Sequence, residues 1–299
     1  MNILNLISEI ERVDPEVYER LDQRRQMFRH FAGFGKKLAV AAVPLAMGSM
    51  LQKAYGKPKS TGLSEQIVYV LNFALGLEYL EYYFYQMGLD APGLLTGSAR
   101  ESVTIIRNDE RNHVDFLRSV LGSAAIPDPG ARAFDYTGSK GGKRPALFPD
   151  VFTNAGTYFA VAQAFEDTGV RAYKGGAPLL ISNNTILEAA LGIHSVEARH
   201  ASHIRTMRRG GPQGLPGPLT SNPKSWISGD DNGGPAPMYT APVYGPGMPA
   251  ETYPSEANVT QAGVNLVTAF GVTMAEASEA FDEPLDPDTV LAIAGNFIK

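Results

Sequence analysis

The chain contains no cysteine. That excludes disulfide staples, thiol catalysis and thiolate-held iron–sulfur clusters. It also excludes a tetra-cysteine iron site feeding electrons within the chain, so any reductant must come from outside. Positive charge is not in excess: the net charge is −5 and the pI about 5.6, which gives no reason to expect nucleic acid as a partner. The apolar run Leu38 to Leu51 is only about 14 residues long and Pro44 interrupts it, whereas a membrane-spanning helix needs roughly 20. Hydrophobic residues make up 44% of the 299, ordinary for one large globular domain or two small ones.

What is present is one pattern written twice. Glu110 and His113 form a Glu-x-x-His, preceded by Glu78 32 residues before Glu110; Glu197 and His200 form another, preceded by Glu166 31 residues before Glu197. Three residues along an α-helix turn by about 300° and rise roughly 4.5 Å, so each Glu and His point the same way from successive turns. One such pair can grip a metal ion from one side. Two pairs facing each other across a bundle core can grip two ions, with Glu78 and Glu166 completing the shells from the other two helices. This is the ligand set of a carboxylate-bridged dinuclear site inside a four-helix bundle. Two divalent ions would cancel the four carboxylate charges. Without them, each buried glutamate faces a desolvation cost of several kcal/mol or stays protonated. Oxygen and imidazole donors suit iron or manganese, whereas structural zinc more often uses thiolates.

The two halves agree beyond these six residues. Aligning Glu78 with Glu166 brings Tyr85 onto Tyr173 and Gly88 onto Gly176; aligning Glu110 with Glu197 brings Arg118 onto Arg205. A single Glu-x-x-His is common on solvated helices, but two in register point to a duplicated helix hairpin. Tyr85 and Tyr173, about two turns from their glutamates, are expected to hydrogen-bond ligand carboxylates. Glu81 lies one turn from Glu78, but its counterpart is Gly169, which places it behind the ligands. Asp109 is a candidate for orienting a ligand histidine. His194 and His203, three residues either side of the second pair, read as partly exposed histidines rather than a proton route.

The elements give an all-α fold: a four-helix bundle with one long crossover, an N-terminal helical segment, and a Pro/Gly-rich C-terminal extension ending in helices. The divisions are 1–60, 61–210 and 211–299. Bundle helices are expected at 64–88 (Ser64 capping, Gly88 stopping), 98–121 (Ser98 and Glu101 as a capping box, Gly122 stopping), about 149–174, opening on Pro149-Asp150, and about 183–209. Residues 123–149 are the crossover. Residues 210–262 show no period and read as a surface wrap, 263–281 as helical, and Asp286-Pro287-Asp288 as the start of a last helix. Gly138–Lys143 is a glycine-rich loop without phosphate-loop spacing, and Gly229–Gly233 a turn lacking the terminal Glu of a calcium loop. At the N-terminus, Arg24-Arg25, Lys36-Lys37 and the apolar run resemble a Tat export signal. The long preceding region, Pro44 and the lack of a clear cleavage site count against a signal, and the alternative is an amphipathic helix packed on the bundle. Periplasmic and cytoplasmic locations both stand.

On Glu78, Glu110/His113, Glu166, Glu197/His200 and Tyr85, the chain resembles the ferritin-like superfamily of rubrerythrins, bacterioferritins and diiron oxygenases. Leu75–Glu81 and Phe165–Gly169 look more narrowly like its bacterial ferritin-like domain branch, which includes plant desiccation-related proteins. The likeness spans roughly residues 60–210, with a weaker echo at Ala280–Pro284. It implies two irons, or manganese, with Glu110 and Glu197 bridging, Glu78 and Glu166 terminal, and one His on each ion. It also implies a reaction with peroxide or dioxygen, an external electron donor if the reaction is a peroxidase, and a role in stress protection. The alternative is a non-catalytic metal-holding or desiccation-related protective protein. Homo-oligomer formation stays open. The chain departs from rubrerythrin in lacking its cysteine-rich electron-transfer module, and from bacterioferritin in lacking a haem-placed methionine.

Overall fold

The computed structural model describes residues 62–210, 214–215, 220–231 and 237–299. The expected N-terminal helix and Tat-like stretch lie outside the described residues.

Two hairpins build the bundle. In the first, α1 (Glu65–Asp90) pairs with α2 (Gly97–Leu121); in the second, α3 (Ala155–Gly176) pairs with α4 (Asn184–Arg208). Within each hairpin the helices run antiparallel: Arg100 near the start of α2 reaches the Leu89 carbonyl at the end of α1, and Arg208 at the end of α4 reaches Gln163 in the first half of α3. Local chemistry sets the ends. The Ser64 hydroxyl accepts from the Ile67 amide, Asn154 from Gly156 and Thr157, and Asn183 from Ile186, satisfying N–H groups that the first turn leaves without partners. Gly122 ends α2 at φ 54, a left-handed value that glycine adopts without strain.

Three expected ends are corrected. Gly88 does not stop α1, which continues to Asp90. It is glycine because a Cβ there would lie 2.4 Å from the Tyr158 ring. The capping box at Ser98 and Glu101 does not form; α2 begins one residue earlier, after Thr96, with no side-chain cap. The Pro149-Asp150 pair does not open α3. Asp150 instead accepts from Asn154 and Thr157 in the turn before it, and Asn154 caps the helix.

The crossover is ordered and tied down. Buried Asn72 of α1 donates to the Ala124 carbonyl at 2.8 Å and accepts from the Ile126 amide at 2.7 Å. Tyr136 donates to the Leu80 carbonyl. Phe134 bridges to Ile298, and the Asp135 amide donates to Phe297, so the chain's last residues lie along the crossover. Next to this seam Phe84, Tyr136, Tyr158, Phe165 and Phe297 form a packed aromatic cluster, with Phe84 stacked on Tyr158 at 4.6 Å.

The C-terminal extension is more structured than its composition suggests. It carries α5 (Pro237–Tyr244), a two-residue antiparallel pair β1 (Thr260–Gln261) and β2 (Val264–Asn265), then α6 (Leu266–Phe270), α7 (Met274–Glu279) and α8 (Pro287–Ala294). The expected helical stretch 263–281 is thus split, by the strand pair and by Gly271 at φ 68. Arg171 of α3 anchors the wrap. Fully buried, it donates to the carbonyls of Val243, Gly245, Pro254 and Glu283 and pairs with Glu256 at 2.8 Å. Among the described residues, no helix is long and apolar enough to cross a membrane.

Candidate metal centre

Each bundle helix delivers its part of the duplicated pattern to one interior point. Glu78 comes from α1, Glu110 and His113 from α2, Glu166 from α3, and Glu197 and His200 from α4. All four glutamates are 0% exposed, and His113 and His200 only 8% and 5%. The ligand atoms fall into two groups, Glu78–Glu110–His113–Glu197 and Glu110–Glu166–Glu197–His200, within each of which they lie no more than 4.8 Å apart. Glu110 and Glu197 belong to both. His113 Nδ1 sits 3.1 Å from Glu78 Oε2, 3.2 Å from Glu110 Oε2 and 3.4 Å from Glu197 Oε1. His200 Nδ1 sits 2.9 Å from Glu110 Oε1 and 3.3 Å from Glu166 Oε2.

The supporting residues also repeat, and they cross between halves. Tyr85 on α1 donates to Glu166 on α3, while Tyr173 on α3 donates to Glu78 on α1. Each tyrosine therefore serves the glutamate of the other hairpin, which requires α1 and α3 to run in opposite directions. One layer out, Arg118 donates to the Tyr79 hydroxyl at 2.5 Å, and Arg205 to Asp167 at 2.5 Å. Tyr79 and Asp167 each follow the upstream glutamate of their half, so the arginine repeat locks equivalent points. Asp109 Oδ2 lies 3.2 Å from His200 Nε2, on the histidine of the opposite hairpin. His203 faces Ser102 at 2.9 Å, and His194 is half-buried near the Val170 backbone. Sequence reasoning missed the buried set behind Glu166, in which Asp231 pairs with Arg205 at 2.6 Å and the Tyr244 hydroxyl donates to Asp167. The Arg118–Arg205 repeat was the one available pointer to it.

Residues 66–209 match the family model described as a ferritin-like domain. This part of the chain is a ferritin-like domain. Comparisons with curated proteins and with solved structures each give no match.

Electrostatics in the ferritin-like domain show what the arrangement demands. Burial, then the facing carboxylate of Glu197, pushes Glu110 up to about 8; burial, then Glu166, pushes Glu197 to about 8. Burial also raises Glu166, against the pull of His200. Of the four glutamates only Glu78 is held below its ordinary value: burial works to raise it, but the His113 ring, the Glu110 carboxyl and the Tyr173 hydroxyl outweigh that. Glu81, 4% exposed, is driven well above the carboxylate range by burial and then by Glu197, Glu110 and Glu166. Burial opposes protonation of His113, yet neighbouring carboxylates raise it strongly; the same balance takes His200 to about 12. The cluster without cations thus takes up protons to offset its own repulsion.

The donor set fits a metal-binding site. Buried Glu110 Oε1, Glu166 Oε2, both Glu197 oxygens and His200 Nδ1 make no hydrogen bond. His200 Nδ1 and Glu110 Oε1 approach to 2.9 Å without the geometry of a hydrogen bond. Buried polar atoms nearly always have partners. Several in one cluster, all of them metal-donor types, are compatible with a metal-binding site.

Proposed function

We propose that the ferritin-like domain holds two divalent ions, iron or manganese, and that the metallated protein reacts with peroxide or dioxygen in stress protection. The observation supporting this is the sharing of Glu110 and Glu197 between the two four-residue groups. In this reading Glu110 and Glu197 bridge, Glu78 and His113 complete one shell, and Glu166 and His200 complete the other. Oxygen and imidazole donors suit iron or manganese. When bound, such a pair supplies electrons and Lewis acidity for reducing peroxide or dioxygen.

The protein's own residues then have defined tasks. Tyr85 and Tyr173 fix the orientations of Glu166 and Glu78, as outer groups do around metal ligands. Asp109 fixes the His200 ring through Nε2 and so leaves Nδ1 as the donor. Glu81 sets a further carboxyl close to Glu197, since an added Cβ at Gly169 would lie 2.8 Å from Glu197 Oε2 and 3.5 Å from Glu81 Oε1, and burial favours its protonated form. Electrons for a peroxidase come from outside the chain, while a catalase-type reaction needs no donor.

Metal analysis of purified protein, with Glu110→Ala and His200→Ala variants, tests the site. Two ions per chain, lost in both variants, are expected; no retained metal would end the reading. Peroxide and dioxygen consumption by the loaded protein tests the reaction. Rates no greater than those of free metal would leave a metal-holding protective protein in its place.

A further inference from the structure

Next to the carboxylates the bundle is hollow on one side. A cavity of about 40 Å3 lies between the helices, walled by Ala74, Leu77, Leu117, Ala172, Tyr173 and Gly176 among others. No charged residue lines it, and its polar side chains are two tyrosines, of which Tyr173 is bonded to Glu78. It occupies the helical turn beside the cluster: Leu77 precedes Glu78, Leu117 lies one turn beyond His113, and Ile193 one turn before Glu197.

The repeat makes the hollow conspicuous. Gly88 and Gly176 are equivalent positions, at opposite ends of the site. At Gly88 an added Cβ would sit 2.4 Å from the Tyr158 ring, so that end is filled by stacked aromatics; at Gly176 it would meet only Val70 Cγ1 at 3.4 Å, ordinary contact. The same framework is packed on the Tyr85 side and open on the Tyr173 side.

We infer that this cavity receives dioxygen and passes it to the Glu78–His113 side of the centre; the inference rests on the metal reading above. Size excludes organic substrates: a cavity that takes benzene is roughly 150 Å3, while one water needs about 10–15 Å3. Chemistry disfavours peroxide: the wall offers its hydroxyls only two tyrosines, of which Tyr173 already donates to Glu78. Dioxygen is apolar, small, and leaves no such group unpaired.

Xenon binds apolar cavities without needing a metal, so metal-free crystals under xenon pressure test the cavity directly. A xenon atom between Leu77, Tyr173 and Gly176 is expected. Ala74 and Ala190 both line the cavity, so Ala74→Leu and Ala190→Leu, which narrow it, should exclude xenon. In ferrous-loaded protein they should lower the rate with dioxygen several-fold relative to the rate with peroxide. No xenon in the wild-type cavity, with dioxygen still consumed, would overturn this inference alone. Xenon bound but no dioxygen consumed above free metal would overturn the proposed reaction and the inference with it. Equal slowing of both oxidants would show that the cavity does not discriminate.

Discussion

The paired glycines allow a test of the packing with opposite signs at equivalent positions. Gly88→Ala places a methyl group 2.4 Å from Cε2, Cζ and Oη of Tyr158. That ring is fully buried, stacked on Phe84 at 4.6 Å and packed edge-on against Phe159 at 5.3 Å, so it cannot swing aside freely. Overpacking of this kind costs about 1–3 kcal/mol, and the better helix propensity of alanine returns about 1 kcal/mol. With the contact this short the upper half of the range applies, for a net loss of about 1–2 kcal/mol. At roughly 2–4 °C per kcal/mol for a chain of this size, Tm falls by about 2–8 °C. Gly176→Ala meets only ordinary contact with Val70. It gains part of the propensity term, being the last residue of α3, so Tm is unchanged or rises by up to about 2 °C. Thermal melts of metal-free protein, followed by far-ultraviolet circular dichroism, make the measurement. The reasoning is refuted if Gly88→Ala melts no lower than wild type, or if both variants shift alike.

Arg171→Met leaves buried Glu256 without its 2.8 Å partner, at a cost of about 3–5 kcal/mol; limited proteolysis should then cut the C-terminal wrap while sparing α1–α4, and an unchanged digestion pattern would count against the anchor. Asp135 gives a pH dependence. Burial pushes its pKa up, but the Ser139 and Thr137 hydroxyls and the Gly141 and Thr137 amides bring it down to about 2, below the ordinary 3.8. A depressed carboxyl stabilises fully above its unfolded value and loses that contribution as pH falls through its folded one, here from about pH 4 to about pH 2. Screening of this partly exposed group limits the term to about 1 kcal/mol. The urea midpoint of Asp135→Asn, low already at about pH 5, should therefore drop less than that of wild type on acidification. Glu197→Leu removes a buried carboxylate whose two oxygens have no hydrogen bond. It should raise metal-free stability by about 1–3 kcal/mol and abolish the gain from metal, about 2.7 kcal/mol at a hundredfold excess over Kd. A variant still stabilised by iron or manganese would contradict the shared role of Glu197.

Much of the bundle was legible because two periodicities coincide in the sequence. Helical spacing set Glu110 over His113 and Glu197 over His200, and the repeat set Tyr85 against Tyr173 and Arg118 against Arg205. Caps such as Ser64 and Asn183 act within three residues, so local sequence encodes them. What was not legible depends on partners distant in the chain. Gly88 has the residue type of a helix stop, but its reason is the Tyr158 ring 70 positions on. The tyrosines' reach into the opposite half follows from helix direction, which spacing within one half does not contain. The wrap of residues 237–299 is held largely by carbonyl groups on Arg171, and carbonyls are common to every residue type. α5 hides in a Pro/Gly-rich stretch because Pro237 can open a helix and Pro242 sits inside it, whereas proline in sequence normally signals a break.

The departures from the repeat follow a steric rule. The residues that face the cluster directly obey the duplication: four glutamates, two histidines, two tyrosines. One turn away it breaks, with Glu81 on α1 opposed by Gly169 on α3. The break is forced by space. Any side chain at Gly169 would begin 2.8 Å from Glu197 Oε2 and 3.5 Å from Glu81 Oε1, so a copy of Glu81 in the second half would displace the Glu197 carboxylate. A symmetric pair would also set two further carboxyls against Glu110 and Glu197, already raised to about 8, deepening the repulsion. One extra carboxyl, its protonated form favoured by burial, is what the interior holds. Asp109 departs similarly: it reaches His200 from α2, while the position before Glu197 is Val196, so His113 has no matching acid from α4. The duplication therefore fixes the geometry of the cluster, and its breaks give the two sides different surroundings. The Glu166–His200 side has Asp109 and packed aromatics; the Glu78–His113 side has Tyr173 and the cavity.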